Sequence, residues 1–170
     1  MDIRITKGER SDRLDAVRPD GSRLSFEFPK KGPVPHDAVH LLVERAFGFG
    51  QGFWGLVAAG RSPGAVGEMA KAGGHASAKR AAEPDPAIVP VVQAERIVEA
   101  FEADLWSGSS GDVAGIAAMA RSGCEASLVP VPLLPLDTLE QVRRELAGFQ
   151  QAWAALPTGE GVDLRWETPA

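Results

Sequence analysis

The 170-residue chain predicts a single α+β domain spanning residues 1–170, with an antiparallel sheet packed on several helices. Three observations carry this. Apolar and polar residues alternate through the first 30 residues, and the alternation returns in "VDLRWE" near the end. Between these ends the apolar period changes from two to 3.6. The length suffices for one hydrophobic core without covalent staples.

The sheet is expected to hold three N-terminal strands and one C-terminal strand. Residues 2–6 alternate around Ile3 and Ile5, and Leu14 with Ala16 marks a second strand. Leu24, Phe26 and Phe28 mark a third, with Arg23, Ser25 and Glu27 on its other side. That pattern gives the sheet a dry face and a wet one. Pro19-Asp20-Gly21-Ser22 supplies the turn between the second and third strands. Val162, Leu164 and Trp166 form the returning strand.

The helices follow in order. Pro33 and Pro35 fix an extended approach, and a helix runs from His36 to about Gly48 on the stripe Val39, Leu42, Val43, Ala46 and Phe47. The glycine-rich stretch "FGFGQGFWG" stops it and packs closely around Phe53 and Trp54. A short helix covers 63–72, opened by Ser62, and a small, polar loop occupies 73–86. Asp85 and Pro86 open a long helix through Trp106, with Val91, Ala94, Val98, Phe101 and Leu105 on one side. A helix over 112–122 is stopped by Gly123, and the proline-bearing run 128–136 is an extended connector. Asp137 caps the last helix, 138–156, with Glu140 in the capping-box position. Its stripe runs from Leu139 through Val142, Leu146, Phe149 and Trp153 to Leu156.

Composition narrows the function. Net charge is -5, so no global field draws the chain to nucleic acid. Residues 1–31 hold eight Lys/Arg against six Asp/Glu, alternating as on a solvated face. The single cysteine, Cys124, allows no intrachain disulfide and no thiolate-rich zinc cluster, and it reads as a small buried hydrophobe. No apolar run reaches a membrane span, and "MDIRITKGER" lacks a signal-peptide core. A cytoplasmic protein with neither nucleic-acid nor membrane partners is expected. The absence of Asn and Tyr, with abundant Ala, Gly and Arg, fits a GC-rich bacterial genome.

One constellation carries chemistry. His36, His40 and Glu44 form an i, i+4, i+8 row on one flank of the first helix. Two imidazoles at that spacing reach one Zn²⁺ at about 2.0–2.1 Å. Asp37 follows the first histidine, where H-E-x-x-H metalloproteases carry the Glu that acts as general base. The pattern departs from that motif: Asp is a methylene shorter, the helix begins at the motif, and no third histidine follows in register. The further ligand would come from Glu44, Glu68 or His75. The competing reading has Asp37 serving the helix N-terminus and both imidazoles bonded to backbone or carboxylate at the edge of the core. Trp54 is the candidate wall of a ligand pocket beside this row.

The hairpin followed by "PHDAVHLLVE" and "GFWG" resembles a family of small bacterial proteins that share a P-H-D-x-x-H-x-x-V-E helix. The resemblance covers the chain from Met1 to about Gly60. It implies the element order and makes the histidine segment a family feature. That family has no established activity, so the resemblance implies no reaction.

Two functions are therefore carried forward. The first, favoured because no complete catalytic constellation assembles, is a non-catalytic protein binding a protein partner or small ligand. The second is a divalent-metal protein with zinc or a similar ion on His36 and His40. With Asp37 as base it becomes a metal-dependent hydrolase. The sequence is compatible with a monomer or a homo-oligomer.

Overall fold

The computed structural model describes residues 1–72 and 84–167. Of the loop expected at 73–86, residues 73–83 lie outside the described residues. The four strands form one antiparallel sheet as expected: β1 (Asp2–Thr6), β2 (Ser11–Val17), β3 (Arg23–Pro29) and β4 (Gly161–Arg165), in the order β3-β2-β1-β4. Ile3 stands opposite Ala16 and Leu164, and Ile5 opposite Leu14 and Val162. This register stacks the apolar side chains in rows across all four strands, since alternate residues share a face. Ile5 and Leu14 are fully buried. The wet face carries Arg4 between Asp15 and Asp163, bonded to the latter at 2.7 Å.

Among the described residues six α-helices cover the dry face and one another: α1 (His36–Phe47), α2 (Phe53–Ala58), α3 (Pro63–Ala72), α4 (Val89–Trp106), α5 (Val113–Ala126) and α6 (Leu136–Ala155). The stripes of α1, α4 and α6 join the dry face in one core, which also takes in Trp54 and Trp166. α1 packs on both α4 and α6. The sheet and helices are tied at their ends. The Lys7 ammonium donates to the carbonyls of Trp153 and Leu156 at 2.8 and 2.9 Å. It thereby satisfies acceptors at the end of α6 that have no partner within the helix. Arg18 donates to Val57 O at 2.7 Å, fixing α2 to the sheet.

Three boundaries differ from the sequence expectation. α5 continues through Gly123 to Ala126. A Cβ on Gly123 would lie 3.0 Å from Cδ of Arg96, so this glycine permits close packing of α5 on α4. α6 starts at Leu136 behind Pro135, and the Asp137 carboxylate accepts only from Thr138 N, so the expected cap is not formed. Asp85 does cap, but it caps a single 3₁₀ turn at Pro86–Ile88 that leads into α4. No helix among the described residues is long and apolar enough to cross a membrane.

Candidate metal centre

The site is built on α1. Pro35, at φ -55 and ψ 130, sets the chain extended, and Ala38 N returns to Pro35 O at 2.9 Å to start the helix at His36. Asp37 lies in the first turn, where a carboxylate is favoured. The helix ends at Gly48, whose φ of 69 suits a residue without Cβ. The chain then folds back, and α2 begins against the body of α1.

Glu44 makes that return possible. Its carboxylate is fully buried and accepts from Phe53 N at 3.0 Å and Trp54 N at 2.9 Å. These are N-terminal amides of α2, which no carbonyl within that helix can reach. Oε1 of Glu44 also meets Nδ1 of His40 at 2.9 Å. Gly52 is required here, because its Cβ would fall 2.5 Å from Glu44 Oε2. Trp54 Nε1 donates to Asp37 O at 3.0 Å, a second tie between the two helices.

α4 supplies the opposing acids. Nε2 of His40 lies 3.1 Å from Glu95 Oε2, and Nδ1 of His36 lies 2.8 Å from Glu102 Oε1. The earlier histidine meets the later glutamate, the order that antiparallel helices impose. The two imidazoles stand edge to face, with centroids 4.7 Å apart. Each therefore has Nδ1 held by a carboxylate, from Glu102 in one case and Glu44 in the other.

The charge states follow from these partners. Burial pushes the Glu44 carboxyl up, while the His40 ring and the two amides act against it. Every polar neighbour of its oxygens is a donor, so Glu44 is the carboxylate. For His40 burial opposes the charged ring, but Glu44 and Glu95 on its two nitrogens outweigh it and hold the pKa at about 10. Without a metal ion the ring is imidazolium at neutral pH. Burial pushes the Asp37 carboxyl up, against the pull of His36 and His40.

His36, Asp37, His40 and Glu95 line a cavity of about 160 Å³. Phe53, Val66, Ala70 and Val91 form its apolar side. Among the described residues, His36, His40 and Glu95 offer ligand atoms that all lie within 4.8 Å of one another. Donors on a tetrahedral ion at about 2.0–2.1 Å stand about 3.3 Å apart. His40 Nε2 and Glu95 already have that separation within a few tenths of an ångström, and His36 offers its ligand atom within 4.8 Å of both. A larger concavity, about 740 Å³, lies on the wet face of the sheet. Arg4 pairs there with Asp163 and Arg165 with Asp2, and among the described residues no imidazole lines it.

The residues singled out from sequence fall into distinct places. His36 and His40 come together as their spacing requires, but His40 and Glu44 are buried inside the helix layer rather than at its border. The carboxylate standing with the two histidines is Glu95; Glu44 stands behind His40 on its other nitrogen. Glu68 pairs with Lys71 at 2.7 Å on the surface, and His75 lies outside the described residues. Trp54 is fully buried, and the neighbouring ring that lines the cavity is Phe53, 5.7 Å from His40. Cys124 is buried beside Val92 and Val129, its thiol pushed up to about 11 by burial. Glu95 and Glu102 went unrecognised in the sequence. Their trace was two acids seven residues apart on α4, a spacing that places both on one side of the helix. Comparison with protein-family models, with curated proteins and with solved structures gives no match.

Proposed function

We propose that this protein binds a divalent transition-metal ion through His36, His40 and Glu95. The observation that carries this reading is the pair of carboxylates behind the histidines, Glu102 at 2.8 Å and Glu44 at 2.9 Å from their Nδ1 atoms. A carboxylate on the distal nitrogen is the usual outer shell of a metal-binding imidazole, fixing its tautomer and its orientation. Two imidazoles and one carboxylate suit zinc or another first-row ion. Calcium and magnesium prefer an all-oxygen shell.

The function favoured on this geometry is binding, since among the described residues no serine or cysteine nucleophile lines the cavity. One observation favours a second reading, a metal-dependent hydrolase. The Asp37 carboxylate lines the same cavity and has no hydrogen bond among the described residues. Elemental analysis of protein purified without chelator tests the binding reading, with His36→Ala and His40→Ala as variants. About one equivalent of metal, lost in both folded variants, supports it; metal retained in both rejects it. Turnover of p-nitrophenyl acetate, lost in Asp37→Asn with metal retained, separates the hydrolase from the binding protein.

A further inference from the structure

The sheet ends on β3, and among the described residues no strand pairs with its outer side. Which backbone groups are open there follows from the register. Val17 stands opposite Arg23, and one step on Arg18 N donates straight across to Ser22 O at 2.9 Å. Pairs that exchange bonds alternate with pairs that do not, so Leu24, Phe26 and Phe28 turn their N–H and C=O groups to β2. Arg23, Ser25 and Glu27 turn theirs outward. Pro29, next in that series, has no N–H to leave unmet.

The side chains divide in the same way. Arg23, Ser25 and Glu27 are exposed on the wet face. On the dry face Leu24, Phe26 and Phe28 are only half-buried, whereas Ile5 and Leu14 on the inner strands are fully buried. The ladder with β2 runs without a bulge, and no charge of β3 points to the dry face, so two common protections of an edge strand are missing. Among the described residues Arg23 has no ionic partner, and Glu27 accepts only from Ser11 Oγ, at 2.9 Å.

We propose that β3 pairs antiparallel with β3 of a second copy of this chain, about a two-fold axis through Ser25. In this register Ser25 faces Ser25 of the partner subunit, and Arg23 faces Glu27 of the partner subunit. These are the outward-turned residues, so each pair exchanges two backbone bonds, about six in all. Opposite charges meet on either side of the axis, and on the dry face Leu24 meets Phe26 of the partner subunit. The half-buried apolar row of one copy continues into that of the other. A pairing centred on Phe26 would set Arg23 against Pro29, which has no N–H, and would part the charges. β4, the other edge, is shorter, and its Asp163 is already held by Arg4 through both oxygens. The two-fold uses each β3 once and closes the assembly.

The experiment is sedimentation equilibrium on the whole chain and its variants, with oxidative cross-linking of Ser25→Cys. The parent is expected to pass from monomer to dimer as concentration rises. Arg23→Glu and Glu27→Arg each set like charges face to face and should weaken the dimer about tenfold or more, while the two changes combined should restore it. Ser25→Cys should form an interchain disulfide, because Cα atoms in such a pair lie about 5.5 Å apart, within disulfide reach. Glu27→Cys, displaced along the strand from its own copy, should not. A parent that stays monomeric at every concentration overturns the proposal. A dimer that neither charge reversal weakens, or that cross-links through Glu27→Cys and not Ser25→Cys, uses another surface or register and overturns it too. A combined variant no tighter than the single reversals removes the Arg23–Glu27 contact from the interface.

Discussion

Glu44 accepts from the His40 ring at 2.9 Å and, with the same carboxylate, from the first two amides of α2. One buried side chain thus orients a proposed metal ligand and holds the helix that walls its cavity. Glu44→Ala leaves two amides and a buried imidazole without their acceptor. A loss of about 3 kcal/mol or more is expected. For a chain of this length that lowers Tm by roughly 6–12 °C. Glu44→Gln keeps an acceptor for part of this network, so it should melt closer to the parent while binding metal about 10–100-fold more weakly. Thermal melts and metal titrations of the two variants check this. Equal metal affinity in Glu44→Gln and the parent would remove Glu44 from the metal centre.

Gly52 tests the same contact from the other side. A methyl group there would lie 2.5 Å from Glu44 Oε2, and the carboxylate is held by its donors and cannot withdraw. Gly52→Ala should cost about 1–3 kcal/mol through overpacking. Gly64→Ala, on α3, is the control: a Cβ there meets nothing within 4 Å, and the change should stabilise by about 0.5–1 kcal/mol. Urea unfolding midpoints moving in opposite directions would meet this expectation. Unchanged stability in Gly52→Ala would contradict it.

Arg143 closes the loop between α4 and α5. Its guanidinium donates twice to Asp104, at 2.9 and 3.1 Å, and also to Gly111 O at 2.8 Å. Asp104 is buried. Arg143→Ala therefore strands a buried carboxylate, and a cost of about 3 kcal/mol is expected from calorimetry. Arg143→Ala paired with Asp104→Ala should cost less than the sum of the two, because the second change removes the stranded charge.

Cys124 gives a pH dependence with a definite sign. Its thiol is held near 11 in the fold against an ordinary 9.0, because burial disfavours the thiolate. The unfolded chain loses this proton first as pH rises. The stabilising contribution is therefore fully present below pH 9 and is lost between pH 9 and 11. At pH 8 the native thiol should resist iodoacetamide while urea-unfolded protein reacts readily. Rapid native alkylation would show that Cys124 is neither buried nor raised.

What the sequence could convey depended on whether a residue's meaning lay within its own element. The alternation around Ile3, Ile5, Leu24 and Phe26 marked the strands, because a sheet with one wet face leaves apolar residues no other side. The stripe Leu139–Trp153 marked α6 for the same reason at the helical period. Gly123 was misleading, since its reason for being glycine is the Arg96 side chain on another helix. His36 and His40 were legible as a pair through their spacing. Their carboxylate partners on α4 were not, because Glu95 and Glu102 acquire a role only when α1 lies antiparallel on that helix. The burial of Glu44 was likewise out of reach, arising from the return of α2 over α1.

The central claim is that His36, His40 and Glu95 hold one metal ion, and zinc titration calorimetry on the parent chain and on Glu95→Gln tests it most directly. The account predicts one zinc per chain in the parent, and binding weakened at least tenfold in a Glu95→Gln protein with unchanged circular dichroism. No zinc uptake by the parent, or equal affinity and stoichiometry in Glu95→Gln, would contradict it.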